Sequence, residues 1–442
     1  MREKKLSFTD LLNKVHDAIE RMSDPRKASN ATAYSLSDAV LGAFAVFFMQ
    51  CESFLEHQRQ MQSRRGQDNA QTLFGLVRVP TNNQIKNILD AIPAEMLFGI
   101  FVWVFQTLRQ CGVLQAYESV NQNLLVALDG TEYFSSQKLC CEQCSSRTHK
   151  NGSVTHFHSA ILPVIVAPGK EHVIALAPEF ITPQDGSVKQ DCEQVAAKRW
   201  VRAHAGEFTG MAVTLLGDDL YSRQPLCELS LQQGFNFIFV CLPESHPALY
   251  EWLEYLDANG EVQTFEQIQG QGRNRTLFTY RFVNQIPLRE TQPALSVNWC
   301  EVTITKVADG SITYRNAFIT QHQITPNSVP EVVAAGRARW KAENESHNVL
   351  KTKGYHLEHN FGHGKRHLAM ILLTLNLLAF LFHTVLHLLD SPYQQIRKQR
   401  GTRKGFFNDI QALTKYFIFE SWQQLIAFML SDSEPRMSIN TS

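Results

Sequence analysis

The spacing of hydrophobic residues along the chain changes near residue 120. Before this point apolar residues recur at helical intervals. Those between Leu36 and Phe47 follow one helix face, with Ser37 and Asp38 as candidate capping residues. Similar helical spacing continues up to the change in period. The pattern therefore predicts a helical N-terminal domain over residues 1–120, which is the natural candidate for binding DNA if the chain has such a role.

From about residue 121, short apolar runs bounded by turn residues replace the helical spacing, which is typical of strands. A Pro-Gly-Lys turn between the second and third runs predicts a hairpin, and helical stretches separate the last three runs. The order strand, strand, strand, helix, strand, helix, strand predicts a mixed sheet with helices on both faces, over residues 121–244. The predicted strands are 124–128, 160–166, 172–180, 213–216 and 236–241, and the predicted helices are 187–204 and 225–233.

The remainder of the chain is predicted to contain a β-rich insertion, the rest of the core and a tail. Asn259-Gly260 and Asp309-Gly310 are hairpin turn signals, and strand-like runs flank the second of them. Helical spacing then returns. The predicted segments are a β-rich insertion over 245–325 with strands at 296–307 and 311–320, a second part of the core over 326–390 with helices at 329–353 and 368–389, and a basic helical tail over 391–442.

Composition and charge narrow the classes of protein. The 442 residues include 42 Lys and Arg and 42 Asp and Glu, so any nucleic-acid site must be a local one. Nine scattered cysteines argue against a disulfide framework and for a reducing compartment, the cytoplasm. The charged N-terminus has no apolar run and does not resemble a signal peptide.

One apolar stretch is long enough to cross a bilayer. Residues 368–389 contain Asn376, His383 and His387, and no other stretch of this length accompanies them. Because polar residues are costly in lipid, this pattern favours a buried helix of a large α/β core over a membrane span. We therefore predict no membrane association.

Two predicted strands end in aspartate, and a third acid lies on a later helix. Asp129 follows the first strand and Asp218 the fourth, and a sheet of the predicted order would make these strands neighbours. Glu343 lies on the predicted helix after the insertion. Three clustered carboxylates repel one another and take up protons unless a cation binds them. Pairs of Mg²⁺ or Mn²⁺ ions held this way cleave phosphodiesters.

At these residues the chain resembles bacterial insertion-sequence transposases of the DDE type, whose catalytic domain is RNase H-like. The similarity is strongest to the cut-and-paste branch with a β insertion and a Tyr-Arg-Glu-Lys signature helix. It covers roughly residues 120–390 and, more loosely, the helical N-terminus. The motifs that carry it are Leu-Asp129-Gly-Thr, Gly-Asp218-Asp-Leu-Tyr221, the stretch from Arg339 to Lys351, and Gly354–Gly364.

The resemblance implies a metal-binding triad of Asp129, Asp218 and Glu343. Asp218 is preferred over its neighbour Asp219 because it stands three residues before an aromatic one. Glu343 is preferred over Glu345 because it stands four residues after Arg339. The implied cofactor is Mg²⁺ or Mn²⁺.

The resemblance also implies double-stranded DNA as the partner, both the transposon ends and the target, bound by a homodimer or larger assembly. Arg339 and Lys351 would contact phosphates, and Trp340 would stack on a flipped base. The sequence departs from the signature twice: Gly336 occupies the tyrosine position, and Lys351 lies eight residues after Glu343 instead of seven.

Local charge points to DNA independently of the resemblance. Between residues 337 and 367 there are seven Lys or Arg, among them Lys353, and three Glu. Such a basic excess in a neutral protein suits a phosphate backbone, although a solvated helix face is an equal alternative. Arg397 and Lys398 belong to a second basic cluster, which either holds flanking duplex or is a linker.

Cysteine and histidine spacing between the first two strands suggests zinc. Cys141 and Cys144 are separated by two residues. His158 is the first candidate for a histidine ligand and His149 the second, and Cys192, remote in the sequence, is a possible fourth ligand. We interpret this as a structural Zn²⁺ site on an extended hairpin loop. The alternative is a loop that carries cysteines without a metal.

The function predicted from the sequence is a metal-dependent DNA transposase of the bacterial cytoplasm, associated with the nucleoid. It would cleave and transfer strands at the ends of an insertion sequence, a mobile element. Two alternatives stay open: an RNase H-like endonuclease without strand transfer, and a transposase-derived DNA-binding protein without catalysis.

Overall fold

The computed structural model describes residues 6–26, 34–62, 64–183 and 189–431, which fold into two units. One unit combines Met1–Ile100 with Val349–Ser442, and the other is Phe101–Asn348.

The α-helices are α1 Phe8–Glu20, α2 Leu36–Phe48, α3 Phe54–Gln62, α4 Arg64–Phe74, α5 Asn82–Leu89, α6 Phe98–Gln110, α7 Lys189–His204, α8 Gln224–Gln232, α9 Pro247–Ala258, α10 Val329–Arg337, α11 Asn348–Thr352, α12 Leu368–Leu389, α13 Ser391–Arg400, α14 Arg403–Tyr416 and α15 Trp422–Leu430. A π-helix spans Ala342–His347, and 3₁₀ turns span Ala94–Leu97, Val113–Tyr117, Val120–Gln122, Ala205–Phe208, Asp219–Ser222 and Gly272–Asn274. The strands are β1 Glu118–Ser119, β2 Asn123–Ala127, β3 Gly130–Ser136, β4 Ser145–Thr148, β5 Val154–Ile161, β6 Val164–Val166, β7 Ile174–Ala175, β8 Glu179–Ile181, β9 Val213–Gly217, β10 Asn236–Val240, β11 Gln263–Gln269, β12 Thr276–Pro287, β13 Ser296–Lys306 and β14 Ile312–Thr320.

The predicted fold class holds at the level of an α/β protein with a mixed sheet. Helices α1–α6 precede the main sheet, as the helical spacing before residue 120 predicts. The predicted domain boundaries at 120, 244, 325 and 390 stay predictions, because the chain divides by contacts into the two units given above. The unit of residues 1–100 and 349–442 is called the helical unit below, and residues 101–348 the sheet unit.

Helix α12 is the core of the helical unit. It has the length and hydropathy of a membrane span, yet every residue from Leu368 to Leu386 is buried in the protein. Its polar side chains have partners: Asn376 donates to the Tyr355 carbonyl at 2.9 Å, and His383 lies 3.0 Å from both the Phe48 carbonyl and the Tyr393 hydroxyl. Burial and satisfied polar groups of this kind are typical of a core helix.

The N-terminus of α2 differs from the prediction by two residues. Ser35 is the N-cap, and its hydroxyl accepts a hydrogen bond from the Asp38 N–H at 2.9 Å while it donates to the Asp38 carboxylate at 2.8 Å. Ser37 lies inside the helix, so its predicted capping role is wrong. Asp38 is the other half of this capping box.

The N-terminus of α12 is capped by a carboxylate remote in sequence. Asp90, which follows α5, accepts hydrogen bonds from the backbone N–H groups of residues 365–368 at 2.9 to 3.2 Å. The Leu368 N–H belongs to the first turn of α12, where donors lack a partner within the helix, and the other three N–H groups immediately precede it. Burial alone would raise the pKa of Asp90, but these hydrogen bonds outweigh burial and hold that pKa below its ordinary value.

The main sheet belongs to the sheet unit and contains the predicted five-strand core. Its order is β11-β12-β13-β14-β10-β9-β2-β6-β7, with β1 beside β2. Strand β2 is parallel to β9 and antiparallel to β6, and β9 is parallel to β10. The predicted neighbours, the first and fourth core strands, are therefore adjacent.

Two of the predicted strands are each divided between two sheets. The run 160–166 contains the end of β5 and all of β6, and the run 172–180 contains β7 and most of β8. Pro163 and Pro178 lie at the divisions, and proline cannot donate to a ladder. Strands β6 and β7 join the main sheet, while β5 and β8 join a second sheet, β3-β5-β4 with β8 beside β5.

The predicted β-rich insertion continues the main sheet. The strands flanking the Asp309-Gly310 turn are present as β13 and β14, and β14 pairs antiparallel with β10 of the core. Residues 245–325 also include a helix, α9. The hydrophobic pattern predicts the strands but cannot indicate which strand of the core they join.

The helix predicted over 329–353 is interrupted. Helix α10 ends at Arg337, a turn comes next, and the π-helix Ala342–His347 leads into α11. Helical spacing of apolar residues persists on both sides of such a turn, so the pattern predicts helix and does not reveal an added residue. The segment that carries Glu343 is therefore π-helical, a conformation common at functional sites.

Candidate active site

The two aspartates predicted to meet lie at the same level of the main sheet. Strands β2 and β9 pair in parallel with Ala127 opposite Leu216, a register offset equal to the separation of Asp129 and Asp218. Both carboxylates follow the last residues of their strands, and parallel neighbours lie about 4.8 Å apart. Asp129 and Asp218 therefore extend from one edge of the sheet, as predicted.

Charges around Asp129 show which groups surround it. The pKa of Asp129 is raised to about 7, first by burial and then by the negative charges of Glu343, Glu193 and Asp218. The Arg339 guanidinium opposes this rise. At neutral pH the Asp129 carboxyl is thus shared between its protonated and charged forms. The third predicted acid, Glu343, acts electrostatically on Asp129 despite lying 214 residues away in the numbering of the sequence.

Asp218 has a similar environment. Its pKa is raised, first by burial, while the Leu220 N–H and Arg339 oppose the rise and the charges of Asp219 and Glu343 add to it. The Leu220 N–H donates to Asp218 Oδ1 at 2.9 Å, which fixes the side chain at the start of a 3₁₀ turn. Glu343 therefore acts on both aspartates.

Arg339 belongs to this acidic cluster. Its guanidinium lies 3.2 Å from the Glu343 carboxylate, one helical turn away, and its side chain is largely buried. The sequence predicts a phosphate contact for Arg339. The structure gives it a partner within the protein, so its charge compensates the carboxylates.

Two further residues at the site are not predicted to reach it. His347 Nδ1 lies 3.3 Å from Asp129 Oδ2. Glu193, on α7, is buried, accepts a 2.9 Å hydrogen bond from the Tyr221 hydroxyl and packs its carboxylate where a Cβ at Gly130 would otherwise be. Neither residue is singled out by the sequence, because Glu193 lies on a helix remote in the sequence from both strand ends and nothing in the pattern marks His347.

The acids that the sequence ranks second have other roles. The Asp219 carboxylate accepts hydrogen bonds from the Leu242 N–H at 2.8 Å and from the Ser245 hydroxyl, so it fixes the loop after β10. Glu345 lines a cavity together with Arg339 and Trp340, and its charge is not among the largest acting on Asp129 or Asp218. Both observations favour Asp218 and Glu343 as the cluster members.

The donor set has the chemistry that a divalent cation prefers, but among the described residues the ligand atoms of Asp129, Asp218 and Glu343 do not all lie within 4.8 Å of one another. Four carboxylates, those of Asp129, Asp218, Glu193 and Glu343, face one guanidinium and one imidazole. Carboxylate oxygens are the ligands that Mg²⁺ and Mn²⁺ prefer. Burial raises the pKa of both aspartates because it makes their charged forms unfavourable. A bound cation would offset that unfavourable free energy.

Trp340 lies beside this cluster on a solvent-accessible cavity. Its side chain is 61% exposed, and the cavity has a volume of about 600 Å³. Arg337 stacks over the Tyr314 ring at 4.6 Å, and Lys341 donates to the Lys170 carbonyl at 2.6 Å. The cavity wall thus combines exposed aromatic surface with two cations.

The remaining predicted DNA contacts belong to the helical unit. Lys351 lies 2.9 Å from the Glu358 carboxylate, and Arg397 stacks over Phe406 and donates to the Thr402 carbonyl. Lys353 and Lys398 are exposed, as a phosphate contact requires. Their predicted contacts with DNA stay predictions.

Gly336, which occupies the tyrosine position of the signature, is a close-packing point. It lies on α10 where the helix crosses the main sheet, and a Cβ there would come within 2.8 Å of the Phe318 ring and 3.0 Å of Ile238. No side chain fits at this position. The close approach of the α10 backbone to the sheet at residue 336 accounts for the glycine there.

Gly336→Ala is expected to lower the free energy of unfolding by about 1–2 kcal/mol, since overpacking outweighs the gain of about 1 kcal/mol in helix propensity. Urea denaturation measures the change. Gly99→Ala is the control, because Gly99 also lies in a helix and a Cβ there meets nothing within 4 Å. Equal stabilisation by both substitutions would contradict the close packing.

The predicted zinc ligands are brought together in part. Cys141, Cys144 and His158 converge at the second sheet, whereas His149 Nε2 is 2.8 Å from the Thr155 hydroxyl. The side chain of Cys192 lies outside the described residues. The predicted extended hairpin loop is a sheet of four strands.

The interpretation of both sites depends on their geometry. No protein-family model matches this chain, and no curated protein matches it significantly.

Proposed function

We propose that this protein is a metal-dependent DNA transposase that cleaves and joins strands at the ends of an insertion sequence. The observation that carries the proposal is the meeting of remote acids: Asp129 and Asp218 end adjacent parallel strands, and the charge of Glu343 acts on both. A structural role explains such a cluster poorly, because buried like charges destabilise a fold.

The order of the core strands supports the same proposal. Numbered along the chain, the core strands β2, β6, β7, β9 and β10 lie in the order third, second, first, fourth, fifth, and only the second, β6, is antiparallel to the first. An RNase H-like domain has a mixed sheet of this order. Its first and fourth strands are neighbours, so acids at their ends lie at one edge of the sheet. The third acid then comes from the helical segment after β14.

Each residue of the cluster has a role under this proposal. Asp129, Asp218 and Glu343 would hold Mg²⁺ or Mn²⁺, and such ions stabilise the charge that develops on phosphodiester oxygens during strand cleavage and transfer. Arg339 orients Glu343 through their ion pair, and His347 Nδ1, 3.3 Å from the Asp129 carboxylate, orients that side chain.

Glu193 supports the cluster from the interior. Its carboxylate packs against Gly130, next to Asp129, and is oriented by the Tyr221 hydroxyl. Gly217, the last residue of β9, lies under the Tyr221 ring, where a Cβ would not fit. The Tyr221–Glu193 hydrogen bond therefore links the end of β9 to Gly130, which follows β2.

The cavity beside Trp340 suits a base displaced from duplex DNA. An exposed indole provides a stacking surface, which is worth about 1–3 kcal/mol per base, and Arg337 and Lys341 offer charge for the adjoining phosphates. The protein would act on the transposon ends and on target DNA as a homodimer or larger assembly in the bacterial cytoplasm.

A strand-joining assay tests the proposal. The donor is a plasmid carrying the DNA that flanks this coding sequence, the target is a second plasmid, and purified protein is added with Mg²⁺ or Mn²⁺. We expect 3′-hydroxyl ends at the element boundary and their junctions with target DNA, both read by sequencing.

The outcomes separate the alternatives. Cleavage at the boundary without junctions would favour an RNase H-like endonuclease. DNA binding in a gel-shift assay with neither cleavage nor joining, in both metals, would favour a non-catalytic DNA-binding protein. Either result overturns the transposase proposal.

A further inference from the structure

We propose that Cys141, Cys144 and His158 bind a zinc ion that fastens the turn before β4 to the middle of β5. The ligand atoms already surround one point: the two sulfurs lie 3.8 Å apart, and His158 Nε2 is 3.5 Å from Cys141 Sγ and 3.4 Å from Cys144 Sγ. This site is separate from the carboxylate cluster and does not rest on the proposed function.

The distances match a tetrahedral zinc ion. With Zn–S bonds of about 2.3 Å and a Zn–N bond of about 2.0–2.1 Å, tetrahedral angles place two sulfurs about 3.8 Å apart and a sulfur and a nitrogen about 3.5 Å apart. A sulfur separation of 3.8 Å is far too long for a disulfide, so Cys141 and Cys144 are not bonded to each other. The three pairwise distances are therefore those of one coordination sphere.

The backbone turn presents the two sulfurs to the same point. The Cys144 N–H donates to the Cys141 carbonyl at 3.1 Å, and the Cys141 N–H donates to Cys144 Sγ at 3.4 Å. An N–H directed at sulfur stabilises the thiolate that coordinates a metal. The spacing of two residues between the cysteines produces this turn.

His158 is held in place by the second sheet. It is 2% exposed, lies opposite Phe134 in the pairing of β3 with β5, and stacks on the Tyr133 ring at 5.7 Å. A buried imidazole with a fixed ring orientation is pre-organised for coordination, because little side-chain freedom is lost when the metal binds.

The proposed zinc site bears on the position of Asp129 in the carboxylate cluster. Strand β3 begins at Gly130, immediately after Asp129, and the Leu162 N–H, after β5, donates to the Asp129 carbonyl at 3.0 Å. Both ends of the zinc-bound hairpin therefore meet at the Asp129 backbone. Zinc would act as a positioning element for that residue.

Metal analysis of the full-length protein tests the site. Protein purified after growth with added zinc is expected to hold about one zinc per chain by mass spectrometry of the metal, and Cys141→Ser or Cys144→Ser to hold less than about a tenth of that. Cys140→Ser is the matched control, because Cys140 is the exposed neighbour and should retain full zinc content.

Two measurements guard against misfolded variants. His158→Cys offers a third thiolate and is expected to keep zinc, whereas His158→Phe keeps the packing and should lose it. X-ray absorption of the wild type is expected to show two sulfur ligands and at least one imidazole nitrogen, and it also counts the fourth donor of the tetrahedral ion.

Limited proteolysis gives a readout independent of catalysis. Removing zinc with a chelator is expected to speed cleavage between residues 137 and 153 at least several-fold, and re-added zinc should reverse the change. Wild-type protein that takes up no stoichiometric zinc, or a coordination sphere without sulfur, would overturn the proposal. Equal zinc loss in Cys140→Ser and Cys141→Ser would do the same.

Discussion

Asp129→Asn is expected to lower strand cleavage at least about 100-fold and to weaken Mn²⁺ binding by a similar factor, with little loss of stability. This factor is a lower bound, because removing even an outer partner of a metal ligand costs about 10–100-fold. Asparagine keeps the shape of the side chain but cannot supply a charged oxygen. Titration of Mn²⁺ followed by electron paramagnetic resonance, beside the cleavage assay, measures both effects.

The control for this experiment is chosen from the same helix as the third acid. Glu343→Gln is expected to behave like Asp129→Asn, while Glu345→Gln should retain Mn²⁺ affinity within about two-fold, because the charge of Glu343, and not that of Glu345, is among the largest acting on the two aspartates. If Glu345→Gln lost Mn²⁺ and Glu343→Gln kept it, the cluster would be wrongly assigned. Unchanged cleavage in Asp129→Asn would remove the basis of the proposed activity.

Asp90→Ala is expected to destabilise the helical unit by about 3 kcal/mol. The carboxylate serves four backbone N–H groups at the start of α12, and one hydrogen bond to a charged group is worth about 1.5–3 kcal/mol; partial exposure of Asp90 allows water to replace some of the loss. Urea denaturation followed by circular dichroism, which reports helix content, measures the change. Glu95→Ala, at an exposed acid nearby, is the control.

The pH dependence of the same variant checks the mechanism. The pKa of Asp90 is lower in the folded protein than its ordinary value, so its contribution is present above about pH 4, the unfolded value, and is lost as pH falls through the folded value. The stability difference between wild type and Asp90→Ala should stay constant from about pH 7 to 5 and shrink below about pH 4. A difference that grows in acid would contradict the cap.

Much of the main sheet and its two aspartates can be predicted from sequence, and the reasons are local. Apolar runs bounded by turn residues mark buried strands, and helical connections make parallel neighbours. An aspartate at the end of each such strand then lies at one edge. Asp129 and Asp218 are predictable in this way because both follow strands whose pairing the connections determine.

The rest of the site depends on contacts that local patterns do not encode. His347 reaches Asp129 across 218 residues of sequence, and Glu193 reaches Gly130 from another helix. The second sheet is not predicted because each of two continuous apolar runs looks like one strand. Pro163 and Pro178 divide these runs, so that one part of each joins the second sheet. The Asp90 cap escapes prediction because its donors lie some 275 residues later.

The π-helix at Ala342–His347 also accounts for the unusual spacing between Glu343 and Lys351. A π turn closes its hydrogen bond over five residues where an α turn uses four, so it absorbs one inserted residue without rotating the helix beyond it. Eight residues counted through this turn are equivalent to seven along an uninterrupted α-helix. If the proposed function is right, a search that fixes the signature spacing would align Glu343 and misplace the lysine by one position.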